Sequence, residues 1–124
     1  MKEVRVLLVD KDECSVFFVT HLLKKNGFDD LVVVNNGFDA LNQIKNQQFD
    51  LILTELMVPG IGGFELIKQV RLIPEYKNTT IITITTLSHH REECFKVGAT
   101  DFIIKPIFNS LEFIRRIKTH IGVF

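Results

Sequence analysis

Residues 50–71 read DLILTELMVPGIGGFELIKQVR, and the order of residue types within them decides the fold. Successive side chains of a strand point to opposite faces, so the run Leu51-Ile52-Leu53 is apolar on both. A strand of that kind belongs in a parallel sheet with helices on both sides. The run leads straight into a carboxylate, Glu55. Pro59, Gly60, Gly62 and Gly63 follow, which is turn chemistry. Phe64, Ile67 and Val70 then recur at three-residue spacing, the mark of an amphipathic helix. The stretch is therefore strand, loop, helix, with an acid at the strand's carboxyl end.

The same alternation extends in both directions. Val4 to Val9, Val32 to Val34, Ile81 to Ile84 and Phe102 to Ile104 are further short apolar runs. Helical spacing appears at Phe17, Leu22 and Leu23, at Phe38, Leu41 and Ile44, at Cys94, Phe95 and Val97, and at Leu111, Ile114 and Ile117. Asp12, Asn36 and Ser88 stand as N-caps, Asn109 with Glu112 resembles a capping box, and Gly27 and Gly98 fall where helices should stop. The order β-α five times over predicts a doubly wound five-stranded parallel sheet with right-handed crossovers.

Residues 1–124 suit one domain with its own core. Lys+Arg and Asp+Glu both number 15, so the formal charge is zero, against the basic excess that nucleic-acid or membrane-surface binding wants. No apolar run is long enough to span a bilayer, and the amino-terminal apolar run ends too early in acids to be a signal peptide. Cys14 and Cys94 make no disulfide framework and read as reduced thiols of a cytoplasmic protein. His89, His90 and Cys94 do not complete a tetrahedral metal set. His21 and His120 read as surface or half-buried helix residues, Arg115, Arg116 and Lys118 as a solvated helix face, and the phenylalanines as core.

In a doubly wound sheet, ligands sit outside the carboxyl ends of the strands. The residues leaving the strands are Asp10-Lys11-Asp12-Glu13, Glu55, Thr85-Thr86 and Lys105-Pro106. Carboxylates after the first strand repel phosphate, which excludes a nucleotide or flavin cradle of the glycine-rich kind. Acids from two strands suit a hard cation such as Mg²⁺, and a hydroxyl with a lysine suits an anionic group beside it.

The segments RVLLVDKDE, DLILTELMVPGIGGFELIKQVR, TIITITT and VGATDFIIKPI, in that order, resemble the receiver domain of two-component response regulators, the CheY-like superfamily. The resemblance covers essentially the whole chain and implies a (βα)5 flavodoxin-like architecture. It implies that an Asp ending the third strand accepts phosphate from a histidine kinase, that two acids after the first strand help bind Mg²⁺, and that a Ser/Thr and a Lys contact the phosphoryl group. By position, Asp10 fills the first acidic place and Lys105 the lysine's. Thr85 fills the hydroxyl's place, with Thr83 and Thr86 as alternatives. Phe102 fits the aromatic switch, and Lys105-Pro106 fits the family's cis peptide.

The departures fall on the chemistry. Glu55 stands at the acceptor position, one methylene longer than Asp. Lys11 stands at the second acidic place. Gly62 stands where an Asp often precedes the loop's last glycine, and the segment from Thr85 to Gly98 is short. These changes predict a receiver that has lost phosphorylation, is no enzyme and needs no cofactor. Lys11 is expected to lie among Asp10, Asp12 and Glu55 in place of the cation. The other reading keeps a working Mg²⁺-dependent phosphoacceptor that uses Glu55 or Asp12. Partners are expected on the face of the fourth helix, fifth strand and fifth helix, either a histidine kinase or a second copy, with Phe108 and Phe113 near it. No output domain is visible after the fifth helix, so the domain is expected either to act by docking a partner or dimerising, or to be a fragment of a longer protein.

Overall fold

The computed structural model describes residues 3–123. Five strands, β1 (Arg5–Val9), β2 (Asp30–Val34), β3 (Leu51–Thr54), β4 (Thr80–Thr85) and β5 (Asp101–Ile104), form one parallel sheet in the order β2-β1-β3-β4-β5. The helices are α1 (Glu13–Lys25), α2 (Gly37–Asn46), α3 (Gly63–Arg71), α4 (Arg91–Val97) and α5 (Ser110–Ile121). This is the doubly wound, flavodoxin-like arrangement that the β-α alternation predicts.

Period-two alternation divides the core in two. Val6, Leu8, Leu51, Leu53, Ile82, Ile84 and Ile103 point to one face of the sheet, under α1 and α5. Leu7, Val9, Ile52, Ile81 and Phe102 point to the other, under α2, α3 and α4. The three central strands are buried on both faces, which is why they read as unbroken apolar runs; edge strand β2 is only part-buried.

Asp12, Asn36 and Asn109 cap α1, α2 and α5 with side-chain oxygens that accept from the amides of Cys14, Asp39 and Glu112. Ser88 does not cap α4. It opens a single 3-10 turn, Ser88–His90, and α4 starts only at Arg91 without a side-chain cap. The short connection after β4 is spent on that turn, leaving a fourth helix of 7 residues. Gly98, at φ +117°, closes it in the left-handed conformation.

The phenylalanines divide rather than cluster. Phe28, Phe49, Phe102 and Phe113 are buried, but Phe17, Phe18, Phe38, Phe95 and Phe108 are exposed. Four residues that set the helical periodicity, Phe17, Phe38, Phe95 and Leu111, lie on the solvent side. Each stands beside the buried stripe of its helix, where Val19, Ala40, Cys94 and Phe113 take the inward positions. Periodicity finds a stripe but does not place its edge.

Candidate functional site at the strand ends

Four strands deliver their terminal residues to one place. Asp10 follows β1, and its amide donates to the Val34 carbonyl of the neighbouring strand. Glu55 follows β3 and its amide donates to Val9; Lys105 follows β5 and its amide donates to Thr85. The side chains therefore leave a hydrogen-bonded sheet edge with little freedom. Lys105 and Pro106 are joined by a cis bond.

The side chains close into one network. The Thr85 hydroxyl donates to Glu55 Oε1 at 2.9 Å and accepts from the Leu87 amide at 3.3 Å. Lys105 Nζ donates to Asp10 Oδ2 at 2.7 Å and lies 3.4 Å from Glu55 Oε2. Glu55 Oε2 is buried and its contact with Lys105 is an ion pair rather than a well-formed hydrogen bond. Asp10 Oδ1 accepts from the Asp12 amide at 3.0 Å, and Asp12 Oδ1 in turn accepts from the Cys14 amide. Asp10 is 4% exposed and Glu55 8%. A carboxylate is held that deep only when paired, and one ammonium serves both.

Lys11 does not take part. It is exposed and, among the described residues, forms no ion pair. The cation between Asp10 and Glu55 is Lys105. Consecutive residues leaving a strand point in opposite directions, so an inward Asp10 sends Lys11 outward. Asp12 is exposed as well, and its carboxylate is occupied as the cap of α1. Of the three hydroxyls, Thr85 reaches Glu55, Thr83 is buried beside the Cys94 thiol, and Thr86 is exposed. Phe102 is buried, packed into the core beneath α4.

Mg²⁺ is a demanding occupant for this donor set. That ion wants an octahedron of oxygens, usually one or two carboxylates completed by water. Three of the four carboxylate oxygens of Asp10 and Glu55 already accept a hydrogen bond, from the Asp12 amide, the Thr85 hydroxyl and the Lys105 ammonium, and the fourth, Glu55 Oε2, lies 3.4 Å from the same ammonium. The remaining loop position carries Lys11 rather than an acid.

Away from the edge, the rings of His89 and His90 meet at a tilt of 41° and His90 approaches Glu93, whereas Cys94 is turned into the core. Burial pushes the Cys94 thiol above its usual range. A second ionic cluster was not anticipated from the sequence. Buried Asp101 accepts from the guanidinium of Arg116 through both carboxylate oxygens, from His120 Nε2 at 2.9 Å and from the Phe102 amide at 2.8 Å. Burial alone would raise the Asp101 pKa. The Arg116 and His120 hydrogen bonds and the Phe102 amide outweigh burial and hold it below the usual carboxylate range. The available signal was the spacing of Arg116 and His120, four apart on one helix face, beside the start of a buried strand.

The comparisons agree with this anatomy. Residues 6–118 match the response regulator receiver domain. The transcriptional regulatory protein YvrH of Bacillus subtilis is 32% identical over 123 residues, 98% of this chain; the chain spans half of YvrH's length. The chemotaxis response regulator CheY4 of Vibrio cholerae superposes with a TM-score of 0.87 at 30% identity, covering 96% of this chain and 99% of that one. The receiver domain of sensor histidine kinase PA1611 from Pseudomonas aeruginosa, solved with a magnesium ion in its active-site cleft, gives 0.87 at 25% identity, covering 98% and 99%. The chain belongs to the response regulator receiver domain family and is a receiver domain of two-component signalling.

Proposed function

We propose that this receiver signals without being phosphorylated, its Glu55 carboxylate standing in for the charge that a phosphoryl group would bring. One observation carries the reading. Glu55 engages Thr85 at 2.9 Å and Lys105 at 3.4 Å, the two side chains that the family resemblance assigns to the phosphoryl group. Both carboxylate oxygens are thereby committed inward. In-line attack depends on placement within about an ångström, so a nucleophile one methylene longer, hydrogen-bonded through one oxygen and ion-paired through the other, is badly placed. On this reading the domain has no enzymatic step and needs no metal.

Receiver domains interact with kinases and other proteins in signalling. The proposed contact surface is α4, β5 and α5, where Phe95, Ile104 and Leu111 are exposed. Either a kinase or a second copy of the chain fits an apolar face of this kind. The competing reading, a working phosphoacceptor, draws support from the retention of Asp10, Thr85 and Lys105 at one edge.

Incubation with acetyl phosphate and Mg²⁺, followed by intact mass measurement, separates the two. No phosphoryl mass is expected. A stoichiometric adduct that disappears in Glu55→Gln refutes the proposal.

A further inference from the structure

A groove of about 440 Å³ opens between the first turns of α1 and the segment after β5. Phe18, Val19, Pro106 and Ile107 give it apolar walls, and Asp12, Ser15, Thr86 and Lys105 are its polar lining. Its volume lies within the range of small-molecule sites, which combine apolar walls with a few polar groups. The Lys105 ammonium is drawn away to Asp10 and Glu55, so what that residue offers the groove is its aliphatic stem. Asp12 differs. One carboxylate oxygen caps α1, and among the described residues no donor meets the other.

The sign of the local field follows from the same residues. Asp10, Asp12, Glu13 and Glu55 supply four carboxylates at this edge against the two ammonium groups of Lys11 and Lys105. An anionic head group would meet excess negative charge, with Lys105, the cation that lines the groove, already paired and Lys11 outside the lining. A cationic head group would meet an open carboxylate at the end of an apolar trough.

We infer that this groove is a binding site for small amphiphilic amines, an aryl or alkyl body lying against Phe18, Val19, Pro106 and Ile107 with its ammonium on Asp12. An occupant touches the Lys105 stem, and so reaches the side chain that holds Asp10 and Glu55 together. The site is independent of whether Glu55 can be phosphorylated.

The test is a titration of the isotopically labelled chain followed by amide NMR, with three probes of one shape: 2-phenylethylamine, 2-phenylethanol and 3-phenylpropionate. The amine is expected to give saturable shifts at Val19, Lys105 and Ile107 in the millimolar range, the alcohol weaker ones, and the acid none. Asp12→Asn, which keeps an N-capping side chain, should weaken the amine about two- to fivefold, the worth of one exposed ion pair, and leave the alcohol unchanged. Ile107→Trp should fill the trough and abolish all three responses. Unsaturable or scattered shifts, an acid that binds as well as the amine, or full binding in Ile107→Trp overturns the inference.

Discussion

Replacing Lys105 with Met keeps the length and apolar stem of the side chain and removes its charge. The structure allows the consequence to be sized. Lys105 Nζ lies 2.7 Å from Asp10 and 3.4 Å from Glu55. At an effective dielectric of about 20 the gross attractions are about 6 and 5 kcal/mol. The side chains are only 14%, 4% and 9% exposed, so desolvation has already consumed much of that gain. What the substitution measures is different: it leaves two buried carboxylates facing each other unpaired, for which about 3–5 kcal/mol is usual. In a domain of this length that lowers the melting temperature by about 10–20 °C. Urea unfolding followed by circular dichroism reads the free energy directly. Glu55→Gln in the Lys105→Met background should recover part of the loss, because it removes one of the two stranded charges. The two substitutions should therefore be non-additive by about 1–3 kcal/mol. A Lys105→Met deficit below about 1 kcal/mol, or strict additivity with Glu55→Gln, would show that the ammonium is not the common partner, and the account of the site given above would fail.

The same geometry makes two further predictions. Millimolar Mg²⁺, compared with NaCl of matched ionic strength, should leave the wild-type melting temperature unchanged, whereas Lys11→Asp with Glu55→Asp should create a Mg²⁺-dependent rise, about 2.7 kcal/mol if the ion reaches 100 times its dissociation constant; a Mg²⁺-specific rise in the wild type refutes the donor-set argument. Asp101→Asn should cost about 1.5–3 kcal/mol at neutral pH by weakening the bonds from Arg116 and His120. Because the folded-state pKa of Asp101 is lowered from 3.8, its contribution is present above that range and lost as the pH falls through the folded value, so the two stability curves should converge below about pH 4. Parallel curves down to acid pH would refute the role given to Asp101.

Where burial on both faces dictates residue type, the sequence was easily read. Val6 to Val9, Leu51 to Leu53 and Ile81 to Ile84 can be little other than central strands, and turn and cap residues separate them. The strand ends were legible for the same reason: a parallel sheet sends its carboxyl ends to one edge, so Asp10, Glu55, Thr85 and Lys105 had to lie near one another. Which of two lysines would stand between the acids was not legible. Lys11 is adjacent to Asp10 in the chain, and Lys105 is 95 positions away. Chain adjacency favoured the wrong one, because the alternation of side chains at a strand exit turns neighbours apart. The outward side of the helices was hidden too. Phe17, Phe38 and Leu111 sit at helical spacing from buried residues, yet are exposed. The Phe38 ring covers Gly60, where an added Cβ would meet it at 2.6 Å, and Phe17 stacks on His21. Such contacts depend on tertiary neighbours that a periodic pattern does not contain.

The two departures in the acidic site act differently. By the family resemblance, Lys11 changes the site by subtraction: a lysine that faces water stands at the place of an acid. Glu55 changes it by reach. Its carboxylate has to span two groups that arrive on different strands, Thr85 from β4 and Lys105 from β5, with β4 lying between β3 and β5. A side chain one methylene shorter, starting from the same backbone position, ends nearer its own strand and cannot keep both contacts without a shift of the sheet edge. The added methylene thus lets one residue join the ends of β3, β4 and β5, while Lys105 extends the link to Asp10 and β1. Four strand ends are tied by three charged side chains and one hydroxyl. On the proposed reading, a receiver that is phosphorylated would build such a connection on each activation cycle, whereas here it belongs to the folded state.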